Sequence, residues 1–378
     1  MKYEQIVWPE LSVEVRLSVY LSSGSTPEYH AVFQLTDIGW RADEQYQRID
    51  AAICLLQERL QATLVWKRFF VSDAVNQKQW FDHPQGNVAV SIVQQPPLNG
   101  AKVVVWGYLL SDVRLSKDTQ GATIVQHGEY RHLYHTQLYA SGADEALQTT
   151  AIFRQYVEQL AAHRCSLSDN CIRTWIYVQG VDTHYKGMVK ARRACFEREN
   201  LTPETHYIAS TGIEGKYIDP AALVFMDAYA IQGLHPGQIQ YLYAPTHLNP
   251  THEYGVTFER GTVVHYGDRR HVFISGTASI NNRGEVEYPL DIRKQTERMF
   301  ENIGVLLTEA DCSMDDVMHL IVYLRDTADY QTVNAYLKQT YPDIPTVILW
   351  APVCRTGWLV EAECMAIKSI TNKQFADY

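Results

Sequence analysis

An internal repeat is the feature of this sequence that most limits what the chain can fold into. Residues 148–169 and 295–316 match at a constant offset of 147 positions. A repeat of this length indicates that the chain is built from copies of one structural unit. Six pairs of positions carry the match: Gln148/Gln295, Thr149/Thr296, Phe153/Phe300, Leu160/Leu307, Cys165/Cys312 and Asp169/Asp316.

Each copy has the sequence pattern of two helices alternating with strands. The matched segments carry an apolar residue every three or four positions, which is typical of a helix with one buried face. A polar turn that begins with Cys-Ser follows each helix and leads into a β-rich run. The predicted elements are strands at 172–178 and 317–324, second helices that start near residues 184 and 329, and closing strands at 224–231 and 360–367.

A third and fainter copy lies at the start of the chain. Any α/β chain shows some similarity between its helix–strand segments by chance. This alternative explanation of the repeat applies mainly to the first copy. Its predicted elements are a helix at 45–60, a strand at 64–71 and a closing hairpin formed by 88–93 and 103–109.

The three copies predict an α+β protein made of three similar units in one chain. Each unit is expected to be a sheet with two helices on one face, and the units are expected to pack around a pseudo-threefold axis. The predicted units are 1–112, 123–235 and 253–370. The stretches 111–122 and 236–252 are rich in Gly, Ser, Asp, Pro, Asn and His, and are predicted to be linkers or surface loops.

The charge balance argues against one large class of partner. Lys and Arg number 33 against 43 Asp and Glu, which gives a formal net charge of −10 and a pI near 5.8. No nucleic-acid partner is expected, because proteins that bind phosphate backbones present basic surfaces. The basic run at 186–198 contains Glu side chains as well and is interpreted as a solvated helix face. An anionic ligand therefore needs a local cluster of Arg side chains.

Cysteine usage and the length of apolar runs favour the cytoplasm. The seven cysteines are scattered without a Cys-x-x-Cys pair, so neither a disulfide framework nor a zinc ribbon is indicated. Glu4 and Pro9 interrupt the N-terminus where a signal peptide needs an unbroken apolar stretch. No apolar run approaches the roughly 20 residues that span a bilayer, so no membrane partner is expected. No cofactor and no metal are predicted, because nucleotide-binding Gly motifs and zinc-ligand spacings are not found.

A long series of short motifs in the third copy resembles a known family. The series lies within residues 271–367 and consists of Ser275-Gly276, Gln295-Thr296, Asn302-Ile303, Asp316-Val317, Val322-Tyr323-Leu324, Val333-Asn334 and Val360-Glu361-Ala362-Glu363. It resembles the pattern of the Rid (YjgF) superfamily. Members of that superfamily associate as trimers with ligand clefts between neighbouring units. The resemblance therefore implies a trimer fused into one chain, as a monomeric pseudo-trimer or a higher homo-oligomer.

The sequence departs from the Rid imine deaminases at the residue that binds the substrate carboxylate. Those deaminases carry Pro-Ala-Arg before the penultimate strand, where this chain has Ile344, Pro345 and Thr346. No neutral side chain reproduces the two charge-assisted hydrogen bonds of an Arg. An imine or enamine deaminase is therefore kept as an alternative, together with a Rid protein that binds a small metabolite without catalysis.

Four other segments resemble the chorismatases, a Rid-like branch that hydrolyses the enolpyruvyl ether of chorismate. The segments are 210–215, 258–260, 275–280 and 353–355. The pattern changes after residue 280, where Asn-Asn-Arg replaces a Val-Gly-His stretch. The resemblance implies a hydrolase that forms pyruvate and a dihydroxycyclohexadienoate or a hydroxybenzoate. A small anionic, chorismate-like metabolite is therefore the expected partner.

Glu361 is predicted to be the catalytic acid of this reaction. Protonating a vinyl carbon requires an acid that stays protonated near neutral pH, and a carboxyl group does so when burial raises its pKa. The repeat places the apolar residues Phe225 and, approximately, Val104 at the equivalent positions. A carboxylate at one of three equivalent positions indicates a function. The alternative is that Glu361 faces solvent on an alternating strand with Glu363.

Arg260 and Arg355 are predicted to bind the two substrate carboxylates. Arg260 ends an alternating apolar stripe, where a structural ion pair is the alternative to ligand binding. Arg355 is expected to lie near the place to which the missing deaminase Arg would point, and an isolated surface Arg is the alternative. Cys354 is interpreted as a pocket wall, because no His or Asn lies near it in sequence to make it a nucleophile. The other residues predicted to line the pocket are Tyr254, Gly212, Gly276 and Ala278.

Overall fold

The computed structural model describes residues 1–378 except Ser23, Ser25 and residues 82–84, and it describes the backbone but not the side chain of Tyr254. The described residues form three six-stranded sheets, and the second and third sheets each include one strand from a stretch that was predicted to be a linker. The prediction of an α+β chain built from three similar units is therefore confirmed.

The first unit uses residues up to Leu110. Its sheet has the strand order β1-β2-β3-β6-β4-β5, in which only β4 and β5 run parallel. Its elements are β1 (Lys2–Trp8), β2 (Val13–Tyr20), β3 (Glu28–Leu35), α1 (Ala42–Leu60), β4 (Thr63–Val71), β5 (Ala89–Gln94) and β6 (Val103–Leu110).

The second unit repeats this plan with two long helices. Its sheet has the order β11-β10-β12-β9-β8-β7, with β10 and β11 parallel. Its elements are β7 (Arg114–Lys117), β8 (Thr123–His127), β9 (Tyr130–Tyr139), α2 (Glu145–Ala162), α3 (Leu167–Asn170), β10 (Cys171–Val178), α4 (Val181–Arg198), β11 (Ala209–Glu214) and β12 (Val224–Gln232).

The third unit has the same strand connections. Its sheet has the order β13-β14-β15-β18-β16-β17, with β16 and β17 parallel. Its elements are β13 (Ile239–Leu242), β14 (Gly261–His265), β15 (Arg269–Ala278), α5 (Ile292–Glu309), β16 (Val317–Leu324), α6 (Tyr330–Thr340), β17 (Thr346–Trp350) and β18 (Val360–Ser369).

A buried Gln at the start of the first long helix of each unit fixes how the three copies align. Its side-chain carbonyl accepts a hydrogen bond from a backbone N–H just before the closing strand, and its amide donates to loop carbonyls. The three equivalent bonds are Leu359 N to Gln295 at 2.9 Å, Leu223 N to Gln148 at 2.8 Å and Lys102 N to Gln45 at 2.8 Å. Two residues further along, the closing strands carry Glu361, Phe225 and Val104 at one equivalent position.

The prediction of a closing hairpin in the first unit was wrong. Strand β4 lies between β5 and β6, because the chain crosses from β4 to a parallel β5 and only then returns antiparallel as β6. The prediction of a second helix there was wrong too: in the described part of the β4–β5 connection the only helix is a short 3-10 helix, Lys78–Phe81. This connection is shorter than the β10–β11 and β16–β17 connections, which hold α4 and α6.

The two stretches predicted as linkers each contain a strand. The stretch 111–122 holds β7 and the stretch 236–252 holds β13, and each pairs antiparallel with the next strand along the chain. Both are edge strands, and the side chains of β7 are largely exposed. An exposed edge strand needs no alternation of apolar and polar residues, so its amino-acid composition does not distinguish it from a loop.

The three units share one core in which charged side chains are buried. One apolar cluster contains residues from every unit, including Trp66, Trp175 and Leu320. Ion pairs also cross between the units inside the protein: Arg68 with Asp227 at 3.3 Å, and Arg173 with Glu363 at 2.8 Å. Among the described residues, no helix is long and apolar enough to cross a membrane.

Candidate active site between the second and third units

A small pocket of about 30 Å³ lies where the second unit meets the third. The ends of strands β11 and β15 approach each other here, and the Ser210 N–H donates to the Ser275 hydroxyl at 2.9 Å. The pocket brings together seven of the eight residues predicted from the sequence. The lining consists of Tyr185, Arg192, Ser210 and Gly212 from the second unit and Val256, Phe258, Arg260, Gly276, Ala278, Ile280, Cys354, Arg355, Trp358 and Glu361 from the third.

Glu361 lies at the base of this pocket. It is the second residue of β18, where it pairs with Ala278 of β15 and with Tyr323 of β16, and it is only 4% exposed. The alternative that Glu361 faces solvent is therefore wrong. No hydrogen bond or ion pair joins its carboxyl group to any side chain or backbone group that the structure describes.

The Glu361 carboxyl group lies directly over Gly276. A Cβ atom at position 276 would come within 2.1 Å of the Glu361 Oε1 atom and 2.9 Å of its carboxyl carbon. Gly276 lies where the β15–β18 register shifts, between Ile274 and Thr277. The bulge and the missing side chain together make room for the carboxyl group between the central strands of the sheet.

Burial raises the pKa of Glu361 to about 8. The negative charge of Glu363 raises it further, whereas the positive charges of Arg173 and Arg260 act in the opposite direction. A carboxyl group with this pKa is mostly protonated at neutral pH, so Glu361 is able to act as a general acid there.

Three guanidinium groups line the same pocket. Arg260 is 4% exposed, lies just before β14 and donates from Nη2 to the backbone carbonyl of Asn249 at 2.9 Å. Arg355 is half-buried in the β17–β18 loop, 5.1 Å above the ring of Trp358. Arg192 comes from α4 of the second unit, is 1% exposed and donates to Thr257 Oγ1 at 3.2 Å.

Arg192 was missed by the sequence analysis, which assigned it to a solvated helix face. Its basic neighbours on α4, such as Lys190 and Arg193, are exposed as expected. However, Met188 and Phe196 lie four residues to either side of Arg192, and both are fully buried. The i, i+4, i+8 spacing of two large apolar residues around one Arg was the available signal.

The remaining predicted residues form the wall. Burial raises the pKa of Cys354 to about 12, so this side chain is a thiol and not a nucleophilic thiolate. A Cβ atom at Gly212 would lie 3.1 Å from the ring of Tyr185, so the glycine allows that ring to approach. The backbone of Tyr254 ends the 3-10 helix Thr251–Tyr254, and its side chain lies outside the described residues.

The residue aligned with the deaminase Arg lies in another cleft. Thr346 lines a separate cleft of about 460 Å³ between the third and first units, together with Val104. Its equivalent in the second unit is Ser210, because Thr346 pairs with Leu320 as Ser210 pairs with Thr174. Arg355 was expected to lie near the place to which an Arg at position 346 would point, but Thr346 and Arg355 line different clefts. Neither position 346 nor position 210 supplies an Arg.

The third unit matches a known family at the sequence level. The family model described as endoribonuclease L-PSP matches residues 261–368. A RutC family protein from Pyrococcus abyssi is 32% identical over 100 residues, which is 26% of this chain and 78% of the relative. The chain belongs to the RutC family. The 3-aminoacrylate deaminase RutC of Acinetobacter baylyi is 31% identical over 72 residues, which is 19% of this chain and 57% of that protein.

A solved structure extends the comparison from the RutC-like third unit to most of the chain. The crystal structure of a chorismatase superimposes with a TM-score of 0.64 and covers 80% of this chain and 93% of its own. At 19% sequence identity this likeness shows that the two proteins share a fold. The predicted Rid-like architecture of three units is thereby confirmed.

Among the described residues, no group of three or more His, Cys, Asp or Glu side chains is arranged to hold a metal ion. The lining of the pocket offers a protonated carboxyl group next to three guanidinium groups.

Proposed function

We propose that this protein hydrolyses the enolpyruvyl ether of chorismate or of a closely related dicarboxylate. The observation that carries the proposal is one buried, protonated carboxyl group, Glu361, in the same pocket as Arg192, Arg260 and Arg355. The expected products are pyruvate and a dihydroxycyclohexadienoate or a hydroxybenzoate.

The reaction begins with transfer of the Glu361 proton to the terminal vinyl carbon of the substrate. This step leaves an oxocarbenium ion at the ether carbon and a carboxylate on Glu361. Water then adds to that carbon and returns a proton to the Glu361 carboxylate, and the resulting hemiketal collapses to pyruvate and the dihydroxycyclohexadienoate, which becomes a hydroxybenzoate if it loses water. Positioned acids of this kind contribute roughly 10²–10⁴-fold to a rate.

The guanidinium groups suit a substrate with two carboxylates. On a chain of net charge −10, a dianion is retained where local cations offset the surrounding negative charge. Arg192 and Arg260 lie deep in the pocket, and Arg355 lies towards its mouth. We expect the two deep Arg side chains to bind the carboxylate next to the vinyl carbon and Arg355 to bind the ring carboxylate.

The closed pocket is smaller than the proposed substrate. A volume of about 30 Å³ holds little more than one water molecule. Chorismate therefore enters only if a wall moves, and the β17–β18 loop, which carries Cys354 and Arg355 and is exposed at Thr356 and Gly357, is the wall that we expect to move. Closing this loop over the substrate would exclude bulk water from the oxocarbenium ion.

The shared fold with a chorismatase supports this proposal, and the RutC relatives support an enamine deaminase as the second candidate. Ser210 and Thr346 argue against the deaminase, because they occupy the positions at which the deaminases carry their carboxylate-binding Arg. A protonated Glu361 suits both reactions, because an enamine is also protonated at carbon before hydrolysis, so the choice between the candidates rests on the Arg positions.

The test is to mix purified protein with chorismate and to follow pyruvate with lactate dehydrogenase and NADH. Enzyme-dependent pyruvate that disappears in Glu361→Gln is the expected result. A parallel reaction with 2-aminoacrylate generated in situ measures ammonia release. Accelerated ammonia release without pyruvate formation from chorismate would replace the hydrolase with the deaminase.

A further inference from the structure

Glu363 is the second carboxyl group of β18, and its surroundings supply hydrogen-bond donors, in contrast to those of Glu361. Strand residues two apart point to the same face, with Cβ atoms roughly 7 Å apart. Glu363 is 3% exposed and accepts a hydrogen bond from Trp175 Nε1 at 2.7 Å and from Arg173 Nη2 at 2.8 Å. A third hydrogen bond comes from the Thr211 hydroxyl. All three donors belong to the second unit, and a carboxyl group that only accepts is a carboxylate.

Thr211 connects this carboxylate to the floor of the pocket. Its hydroxyl oxygen accepts from the Gly276 N–H at 3.0 Å and from Arg173 Nη2 at 2.6 Å, while its single hydrogen is donated to Glu363. A hydroxyl group has one donor and two acceptor positions, and all three are used here. The negative charge of Glu363 therefore fixes the orientation of the Thr211 hydroxyl group. The oriented hydroxyl group in turn holds the backbone of Gly276, over which the Glu361 carboxyl group lies.

We propose that Glu363 is the positioning residue of this site, which holds Gly276 beneath Glu361 through Thr211 and places a fixed negative charge on the same face of β18 as Glu361. This role rests on the proposed function of Glu361 as an acid. Two carboxyl groups with contrasting surroundings are a recurring arrangement in acid catalysis, in which one stays ionised and the other keeps its proton. Like charges that lie close together cannot both ionise without cost. The electrostatic effect of Glu363 on Glu361 has the required sign, because it raises the pKa of Glu361.

The repeat gives this proposal a matched control. The position equivalent to Glu363 in the second unit is Asp227, which is also fully buried and also paired with an Arg, at 3.3 Å from Arg68. Asp227 lies on β12, whose residue at the Glu361 position is Phe225. Arg68 also lies 3.9 Å from Glu363, so loss of the Asp227 charge disturbs the same buried ion-pair cluster without removing a charge from the strand of Glu361.

The experiment is a direct titration that needs no substrate. Protein labelled with ¹³C at the glutamate carboxyl carbons is titrated by NMR, and the Glu361 signal is assigned by its loss in Glu361→Gln. Glu363→Gln is expected to lower the titration midpoint of Glu361 by about one pH unit or more, whereas Asp227→Asn leaves it unchanged. Glu363→Asp, which keeps the charge, is expected to restore most of the shift. An unchanged midpoint in Glu363→Gln, or an equal fall in Asp227→Asn, would overturn the proposal.

A second variant covers the case in which Glu363→Gln does not fold. The double variant Glu363→Gln, Arg173→Met removes both members of the ion pair, so no buried charge is left unpaired. Its Glu361 midpoint is expected to fall by a smaller amount, because the effect of Glu363 on Glu361 exceeds that of Arg173. A midpoint that stays constant or rises would contradict the role of Glu363.

Turnover separates this inference from the proposed function. If the protein releases pyruvate from chorismate, Glu363→Gln is expected to shift the alkaline fall in kcat to lower pH by the same amount, with KM changed less than about threefold. If it releases none while the titration midpoint still shifts, the hydrolase proposal fails and the role of Glu363 towards Glu361 stands. A fall in kcat at every pH without a shift of the profile would show a merely structural role.

Discussion

At the residue scale, the site depends on one carboxyl group that is buried without a described hydrogen-bond donor. Glu361→Gln keeps the size and polarity of the side chain but has no proton acidic enough for carbon. We expect kcat for pyruvate release to fall by roughly 10²–10⁴-fold while KM changes little, because the amide still fills the pocket. The measurement is steady-state kinetics with chorismate. A variant that kept more than about a tenth of the wild-type kcat would exclude the general-acid role.

The same residue makes the protein's stability depend on pH in a defined direction. The Glu361 pKa is about 8 in the folded chain, against 4.5 for an unperturbed glutamate. Since its folded pKa is raised, its contribution to stability is complete below about pH 4.5 and is lost as the pH rises towards 8. Glu361→Gln is therefore expected to raise Tm relative to the wild type at pH 8 but not at pH 4.5. Equal differences in Tm at both pH values, measured by calorimetry, would contradict the raised pKa.

At the element scale, the bulge in β15 shapes the site through Gly276. Gly276→Ala places a methyl group 2.1 Å from the Oε1 atom of Glu361, so the carboxyl group must shift. Displacing a reacting group by about 1 Å costs on the order of 10²-fold in rate. We expect kcat to fall by at least tenfold, with the far-UV circular dichroism unchanged. Gly304→Ala is the control, because a Cβ atom there meets no atom within 4 Å and the residue lies in a helix of the same unit. An equal loss of kcat in both variants would contradict the proposed role of the Gly276 contact.

The sequence predicted strands that recur in the repeat, and it did not predict the largely buried strands β2, β3 and β9. The closing strand at 360–367 and the strand at 317–324 were found because both faces of each are buried. The edge strands β7 and β13 were missed because a strand with little burial has no apolar alternation. The parallel pairing of β4 with β5 was missed because local patterns do not specify which strands are neighbours in a sheet.

Within the site, motif residues were predictable and residues from the second unit were harder to find. Gly276, Ala278 and Cys354 adjoin the predicted acid in the third unit and line its pocket. Arg192 reaches the pocket from a helix more than 160 positions earlier in the chain than Glu361, and no repeat pair or motif connects the two. That juxtaposition depends on how the units pack, which one sequence does not reveal.

At the scale of the whole molecule, three equivalent positions on the closing strands carry three different side chains. Glu361 faces the pocket between the second and third units, Val104 lines the cleft between the third and first units, and Phe225 stacks on Tyr177 at 4.7 Å. Fusing the units into one chain allows each position to change independently, which a trimer of identical chains does not permit. One catalytic pocket per chain is therefore expected. In a single-turnover experiment, the bound substrate should give one mole of product per mole of chain.

A site built between two units should depend on both of them, and Arg192 tests this dependence. Arg192 belongs to the second unit, yet it lies with Arg260 in the pocket of Glu361. We expect Arg192→Gln to raise KM for chorismate by roughly tenfold or more, because a charge-assisted contact to a carboxylate contributes about 1.5–3 kcal/mol. Lys190→Gln is the matched control, since Lys190 lies two residues away on the same helix and is exposed. Steady-state kinetics that gave the same KM for both variants would show that the second unit supplies no cation to the substrate. The carboxylates would then be bound by the third unit alone.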